Sequence, residues 1–405
     1  MKGKFDLLVI GGGAAGYFAA IRLAQLKPGA KVAILEKKQR TLEKVKVSGG
    51  GRCNVTHNWD NPSIASQYYP RGAEFLQPAF SKFHCNDMRL WLKEAGVDTK
   101  IESDQRVFPV SNDSQSIIDC FEFEVKKHDI QLFRSITISN FSCSTTECEV
   151  QTDQGMFKSR ELLIATGSNR VIWEWLQKKG HHIMAPIASL FAFNAFDKSW
   201  ADLAGVAVSD AVLQLDQAES KSRGPLLITH KGISGPAVLK LSAWAARELE
   251  KRNYRFAIRI NWLGLDRKEI LNELKRYRDE KPKMDPALSN FFKLPKRLNK
   301  RLFQETGIQV RKMAELGNKT LDLWTQMLCE YRFEVEGKAT NKDEFVTCGG
   351  VDLGEVDPLS FQSKKIPNLY FAGEVLDIDA ITGGFNFQAC WSGANLVAEN
   401  IAAES

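Results

Sequence analysis

The sequence predicts an α/β protein, with a parallel sheet flanked by helices and interrupted by a long β-rich insertion. Three observations predict it. Residues 7–10 are a short apolar run leading into Gly11, Gly13 and Gly16 at G-x-G-x-x-G spacing. Residues 31–35 form a second apolar run, which ends in Glu36. Two later runs, residues 161–164 and 368–371, also end in small residues and glycine, at Ala165-Thr166-Gly167 and Ala372-Gly373-Glu374.

The first run reads as a strand buried on both faces. Gly11 makes the tight turn, Gly13 lets a pyrophosphate approach the backbone, and Gly16 lets the next helix pack on the strand. Residues 17–26 read as that helix, with Ala19, Ala20 and Ala24 small enough for close packing. Its start, Gly12, Ala14 and Ala15 included, offers free N–H groups and the positive end of the helix dipole to phosphates. Glu36, followed by Lys37, stands where a carboxylate accepts hydrogen bonds from an adenosine ribose. A carboxylate there repels a 2′-phosphate, so the dinucleotide is FAD or NAD rather than NADP. The alternative is a glycine-rich turn without a ligand. The preceding strand, the following helix and the acid about twenty residues on supply the context that such a turn lacks.

A second glycine-rich loop follows, Ser48-Gly49-Gly50-Gly51-Arg52-Cys53-Asn54. Three consecutive glycines bring backbone N–H groups to a ligand with no Cβ in the way. Arg52 adds a fixed charge, and Asn54 a donor and an acceptor. A plain flexible loop is the other reading. Two such loops so close together fit one extended cofactor, which favours FAD over NAD. Residues 74–96 read as one helix, with Phe75, Leu76, Phe80, Phe83, Met88, Trp91 and Leu92 apolar and Gly96 as the stop. Residues 106–109 are extended, because the residue before Pro109 avoids the helical region. Residues 114–127 read as a helix, and the alternation over 136–156 as short antiparallel strands. The strand at 161–164 then returns beside the first.

From residue 188 to 261 the pattern is short strands and turns, read as a β-rich inserted domain. Pro236 after Ser234 and Gly235 starts a helix over 237–250. His230 lies in the loop before it, as a substrate contact or as an ordinary loop histidine. Residues 266–330 are rich in Lys, Arg, Leu and Phe and broken at Pro282, Pro286 and Pro295, which gives several short helices with a solvated basic face. At the end, Thr382-Gly383-Gly384-Phe385-Asn386 leads into a small-residue helix over 389–402. Glu374 suits the ribityl or pyrophosphate region of a flavin nucleotide. The glycine-rich helix start suits the pyrimidine edge of the flavin, where negative charge develops on reduction. The expected domains are 1–187 with 346–405 for the cofactor, 188–265 with 331–345 for the β-rich insertion, and 266–330 as a helical subdomain.

Composition bounds the partners. The 405 residues are 43% hydrophobic and 26% charged, with a net charge of +6. That mild excess does not by itself call for nucleic acid. Asp6, the glycines and Arg22 break up any signal-peptide core, and no run approaches a membrane span, so a cytoplasmic protein is expected. The eight cysteines include no Cys-x-x-Cys and no metal-ligand spacing. Cys143 and Cys148 have the spacing of the redox pair in glutathione-reductase-type enzymes. They fall in a β-meander rather than on the helix after the first βαβ unit, so reduced thiols are expected.

Together, residues 11–16, 48–56, 106–109, 229–236, 346–351, 371–377 and 382–386 resemble the BaiN/YhiN-type family of FAD-dependent oxidoreductases, over nearly the whole chain and in the family's order. The resemblance implies a glutathione-reductase-like, Rossmann-type FAD domain, a β-barrel-like insertion and a small helical domain nested in it. It implies FAD contacts at Gly11, Gly13, Gly16, Glu36, Ser48, Gly51, Arg52, Cys53, Asn54, Thr166, Gly167, Gly373, Glu374, Gly384 and Asn386. The neighbouring Gly12, Ala14, Ala15, Lys37, Gly49, Gly50, Ala165, Gly383 and Phe385 complete the candidate cofactor site. Departures from the family pattern are His57 in place of a frequent Asn, Ser168 in place of a glycine, the absence of a glycine-rich turn over 169–180, and Phe385 in place of a common Tyr. Arg52, His57, Arg106 and His230 are the pocket candidates. No acid–base residue and no metal site is assigned.

The expected activity is hydride transfer between FAD and a small-molecule substrate, with the inserted domain covering the flavin and NAD(P)H as a candidate donor. Two other classes stay open. One is an NAD-dependent dehydrogenase using the first unit alone. The other is a flavin-dependent RNA-modifying or nucleic-acid-binding protein, which the basic helical segment motivates.

Overall fold

The structure is a computed structural model that describes residues 3–59, 61–338 and 346–403. Of the segment 331–345 expected in the β-rich domain, residues 339–345 lie outside the described residues. The chain divides into two compact units, Met1–Ile187 with Val346–Ser405, and Ala188–Phe345.

In the first unit β1 (Lys4–Ile10), α1 (Ala14–Leu26) and β2 (Val32–Leu35) form the parallel strand–helix–strand that the apolar runs predict. All four residues of β2 are buried, as are nine of α1, so this helix is covered by sheet and neighbours rather than facing water on one side. Next come α2 (Glu43–Val47), β3 (Thr56–His57), α3 (Ala73–Lys82) and α4 (Cys85–Glu94), then β4 (Thr99–Ile101), β5 (Arg106–Pro109) and α5 (Ser114–Lys127). The run continues through β6 (Gln131–Phe133), β7 (Ile138–Cys143), β8 (Cys148–Thr152), β9 (Gly155–Ile164), α6 (Arg170–Lys178) and β10 (Ile183–Ser189).

The main sheet has the order β6-β2-β1-β9-β8-β7. Strand β9 has three partners, β1 along one edge and β8 followed by a late strand (Leu369–Phe371) along the other. Its first half pairs antiparallel with β8, and it runs parallel to β1, with Ile164 opposite Ile10. Ile10 is also opposite Leu35. The strand ends that precede Gly11, Glu36 and Ala165 therefore lie side by side on one edge, where open α/β sheets bind ligands.

The second unit holds β11 (Phe193–Ala195), β12 (Ala207–Leu215), β13 (Lys221–Thr229), β14 (Gly232–Ser234), α7 (Pro236–Trp244), α8 (Ala246–Lys251), β15 (Arg255–Asn261), α9 (Arg267–Glu280), α10 (Lys296–Glu305), α11 (Asn318–Cys329) and β16 (Tyr331–Lys338). Its strands close a barrel in the order β11-β14-β13-β12-β15-β16. Barrel residues such as Ile258 and Phe333 share one core with Leu274, Leu298, Leu302 and Trp324 of the helices. The chain returns to the first unit through β17 (Val346–Val351), which pairs with β10, and β18 (Leu369–Phe371), which adds to β9 with Phe371 opposite Ile164. It ends in α12 (Phe385–Ala403).

Four expectations need correction. Residues 74–96 are two helices, because Phe83 and His84 are both extended. Asp87 accepts the His84 N–H and so begins α4 afresh. The helix expected over 237–250 is interrupted at Ala245, which separates α7 from α8. The final helix starts at Phe385 rather than 389, directly after Gly383 and Gly384. Cys143 and Cys148 are not thiols but a disulfide. The hairpin turn, closed by the Ser144 N–H to the Glu147 carbonyl, sets the two residues opposite each other in the β7–β8 register. The other six cysteines are free, and all but Cys390 are buried.

Candidate functional site

The glycines of the first turn divide by what confines them. A Cβ on Gly11, whose φ is +112°, would lie 2.5 Å from the Ala165 carbonyl oxygen, and one on Gly16 would lie 2.0 Å from the Gly11 oxygen. The protein itself therefore demands glycine at both positions. A Cβ on Gly13 would meet nothing within 4 Å. Gly13 is also the N-cap of α1, with extended backbone and no side-chain cap, and no acid occupies the first turn. Orphan N–H groups thus face an open space. Glu36 closes the other side of the turn. One of its oxygens accepts the Gly12 N–H at 2.7 Å and the other the Lys38 N–H at 2.8 Å, while Lys37 is exposed.

The second glycine loop sits between α2 and β3. Gly49, Gly50 and Gly51 have φ of 59°, 70° and 83°, three left-handed residues in succession. A Cβ on Gly49 would press on the Asn54 amide at 2.9 Å, whereas Gly50 and Gly51 border open space. Ser48 anchors the loop through its hydroxyl, which donates to the Val45 carbonyl, and through its own carbonyl, which accepts the Cys53 N–H. The Cys53 thiol is buried, and burial pushes its pKa up to about 12, so it stays protonated at neutral pH. Asn54 is buried, and its Oδ1 has no hydrogen-bond partner among the described residues. Arg52 lies 3.8 Å over the Phe108 ring and pairs with Glu102 at 2.8 Å, a hydrogen bond that raises its pKa. Arg106 shares the same Glu102 carboxylate. Arg52 is thereby directed to Glu102, whereas Arg106 pairs more closely with Asp104, at 2.7 Å.

On the neighbouring strand ends, the buried Thr166 hydroxyl has no partner among the described residues. Gly167 is left-handed, with only Glu374 near its missing Cβ, at 3.7 Å. Glu374 accepts the Thr347 N–H at 2.9 Å and forms an ion pair with Lys44 of α2. Gly373 has φ of 77°, and a Cβ there would lie 3.1 Å from that of Ala15, which joins the end of β18 to the start of α1.

The start of α12 is fixed from several sides. A Cβ on Gly384 would lie 2.5 Å from the Thr56 carbonyl, so the fold requires this glycine, ligand or none. Gly383, at φ of 127°, passes its carbonyl to His57 Nδ1 at 3.1 Å. The Phe385 ring stacks on His57 at 4.4 Å and on Tyr68 at 4.3 Å. Asn386 spends its side chain on the Ala380 backbone, accepting the N–H at 3.0 Å and donating to the carbonyl at 3.2 Å. The Thr56 hydroxyl donates to Gln388 at 2.6 Å, and the Trp391 indole to the Val55 carbonyl at 2.9 Å, which locks β3 onto α12. Arg71 and the fully buried Asp379 form an ion pair across the same segment.

Of the predicted residues, the first turn, Glu36, residues 165–167 and 373–374 come together at one sheet edge. Residues 48–54 and 383–386 are joined through β3. His230 is exposed on the β13–β14 turn of the other unit. Lys44, Tyr68, Arg71 and Gln388 went unread, because their partners lie about three hundred residues away and no local pattern marks them. Among the described residues no His, Cys, Asp and Glu group could hold a metal, and no helix is long and apolar enough to cross a membrane. The fit to a flavin nucleotide rests on the open cradle at Gly13, Gly50 and Gly51, the uncapped α1 start and the unsatisfied oxygens of Asn54 and Thr166.

The family model described as the HI0933-like protein Rossmann domain matches residues 5–400. A ribosomal RNA dihydrouridine synthase of Escherichia coli (strain K12) is 28% identical over 415 residues, which covers 99% of this chain and 98% of the relative. A 3-dehydro-bile acid delta(4,6)-reductase of Clostridium scindens is 26% identical over 400 residues, covering 95% and 96%. Among solved structures, a 3-ketosteroid delta1-dehydrogenase from Sterolibacterium denitrificans aligns over 99% of this chain and all of its own, with a TM-score of 0.53 at 11% identity, a likeness of fold.

Proposed function

The chain belongs to the HI0933-like protein Rossmann-domain family and is an FAD-dependent oxidoreductase; from that premise we propose that it saturates a carbon–carbon double bond conjugated to a carbonyl in a small molecule. The supporting observation is end-to-end similarity to two relatives whose named reactions share this step. Dihydrouridine is a uracil saturated at the bond next to a carbonyl. A delta(4,6)-reductase of a 3-dehydro acid works on double bonds conjugated to the 3-carbonyl.

Bound FAD supplies a hydride from its central ring nitrogen. The chain supplies binding and electrostatics. The α1 start and Gly13 hold the pyrophosphate through backbone N–H groups. Glu36, whose two oxygens each accept a backbone N–H, would offer a remaining lone pair to the ribose, and Glu374 with Lys44 would border the ribityl chain. Asn54 and Thr166 satisfy their free oxygens against the cofactor. The start of α12 lends its positive end to the pyrimidine edge. His57, held at Nδ1 by the Gly383 carbonyl and stacked on Phe385, lies at this helix start. A nicotinamide donor, if used, binds transiently over the flavin, since the sequence carries one G-x-G-x-x-G unit with its acid.

A second reading places the double bond in a uracil of RNA. The full-length relative named for ribosomal RNA and the cation excess of the helical segment favour it. The test is anaerobic. Photoreduced holoprotein is mixed separately with a 4-en-3-one steroid, uridine and total ribosomal RNA, while flavin reoxidation and product mass are followed. Reoxidation with a gain of two hydrogens by the steroid supports the first reading, and by RNA the second. Reoxidation by none of these, in a protein that an aldehyde or a disulfide reoxidises, refutes both.

A further inference from the structure

We propose that residues 281–312, on the second unit, form a docking face for the phosphate backbone of a folded RNA. The proposal rests on the second reading above and gives it a surface. The first observation is charge. Residues 281–312 hold nine Lys and Arg against Asp285 and Glu305, a net of +7, whereas the whole chain nets +6. The two acids are already engaged. Asp285 accepts the Ala287 N–H at 2.9 Å, and Glu305 pairs with Arg301.

Of the nine cations, Arg301 pairs with Asp197 and Glu305, and Arg297 donates to the Asp202 carbonyl. The other seven are not engaged in ion pairs. Lys281, Lys283, Arg311 and Lys312 are exposed, as are Lys293, Lys296 and Lys300, and none of them has an ion pair among the described residues. Elsewhere on this unit Arg223 pairs with Asp210, Arg276 with Glu273, and Arg267 with both Asp322 and Glu330. Lys198, Lys221 and Lys268 there are also exposed without an ion pair among the described residues, so what sets 281–312 apart is its net charge. Unpaired like charges repel, so their concentration in one stretch costs stability until an anion covers them.

The second observation is that the stretch is rigidly mounted. The buried Asn299 side chain donates to the carbonyls of Pro286 and Ser289, both at 3.1 Å, which ties the turn before α10 to the helix. The Met313 N–H donates to the Met284 carbonyl at 2.9 Å and the Ala314 N–H to that of Pro282 at 3.0 Å. The backbone segments that carry Lys283 and Lys312 are thus held together, and α10 with its lysines follows the turn that Asn299 ties down. The Tyr277 ring stacks on Phe291 at 4.1 Å. Charges carried on a fixed backbone meet an anionic phosphate backbone with a smaller ordering cost than charges on a flexible loop.

The third observation favours RNA over an anionic membrane. A helix lying on a bilayer inserts an apolar face. The apolar face of α10, Leu298, Leu302 and Phe303, is already buried in the core of the unit. What α10 leaves outward is polar or charged, and the exposed large apolar side chains of the stretch are two, Met284 and Leu288, on the turns before it rather than a continuous helix face.

The experiment uses holoprotein and a fluorescein-labelled RNA stem–loop, with binding measured across a salt series. The variant is Lys293→Gln/Lys296→Gln/Lys300→Gln. The control, Lys126→Gln/Lys178→Gln/Lys251→Gln, removes the same charge from exposed lysines outside the face. The slope of log affinity against log salt shrinks by about 2–3 in the variant, because each lost phosphate contact removes ~0.7–0.9. The control keeps the wild-type slope. Equal slopes for variant and control overturn the proposal. So does tighter binding to phosphatidylserine vesicles than to RNA. Reduction of the 4-en-3-one steroid separates the two levels. If wild-type protein binds RNA and the variant keeps the slope, the face is wrong and the RNA reading survives. If RNA neither binds nor reoxidises the flavin while the steroid does, the RNA reading falls with it.

Discussion

Replacing Gly13 with Ser moves the free protein and the cofactor complex in opposite directions. The residue has φ of −93° and ψ of −172°, an extended conformation open to any side chain. A Cβ there touches nothing within 4 Å. Serine at an N-cap accepts an N–H from the first turn, here from Ala15 or Gly16, and is better than glycine by a few tenths of a kcal/mol. Removing glycine's freedom in the unfolded chain adds about 0.4–1 kcal/mol. Ligand-free Gly13→Ser therefore gains about 0.5–1.5 kcal/mol in urea unfolding. The same hydroxyl fills the cradle and occupies N–H groups that a pyrophosphate needs. Overpacking of this kind costs about 1–3 kcal/mol, which is roughly 5- to 150-fold in affinity. Wild-type protein at ~100 times its Kd for FAD is stabilised by ~2.7 kcal/mol, and a tenfold weaker variant at the same concentration by only ~1.4. The assay pairs urea melts with and without FAD with a fluorescence-quenching titration of FAD. A variant less stable than wild type without FAD, or one that binds FAD as well as wild type, refutes the reasoning.

Three further outcomes are expected. Gly384→Ala destabilises the ligand-free protein by at least about 2 kcal/mol, because its Cβ meets the Thr56 carbonyl at 2.5 Å from a φ of 94°; a melt matching wild type would show that β3 gives way freely. In denaturant without reductant six thiols titrate, and eight after reduction. Opening the Cys143–Cys148 bridge, which closes a short hairpin, costs about 2 kcal/mol on the chain-entropy relation, and a Cys143→Ser/Cys148→Ser protein loses the response to reductant. Burial lowers the pKa of His181, with Glu355 opposing, and its Nε2 lies 2.8 Å from the Ser363 hydroxyl. The unfolded chain therefore takes up the proton first, so stability is full above about pH 6.5 and falls as the pH drops toward the folded-state value; a His181→Asn protein whose urea midpoint declines as steeply over that range assigns the loss to other groups.

The parts of the fold that were legible in the sequence are those where one short stretch carries both period and punctuation. The turn from β1 to α1 is such a stretch, and α5 matches its expected bounds at 114–127. The break at Phe83 and His84 was hidden because the apolar spacing runs on through it, while the cap that starts α4 is a histidine rather than a usual capping residue. The disulfide depends on hairpin register, which spacing alone leaves open. Gly384 looked like a glycine kept for a ligand, yet its constraint is the backbone of Thr56, more than three hundred residues away. Lys44 with Glu374 and Arg71 with Asp379 are hidden for the same reason, since local pattern says nothing about which distant strand end or loop will arrive beside a charge.

Strand β9 has a consequence for how the protein is made. Its parallel half waits for β18, and α1 waits for α12, where Arg22 donates to Asn395 at 2.8 Å. Every strand of the barrel, by contrast, lies between residues 193 and 338. During synthesis the barrel can close while the sheet that holds the fingerprint is still missing an edge, because domains fold as their last strand emerges. The nascent chain thus carries Gly11–Gly16 for most of its translation without a finished site. Capture of the cofactor is a late event, set by the emergence of β18 and α12 from the ribosome rather than by the motif that announces it.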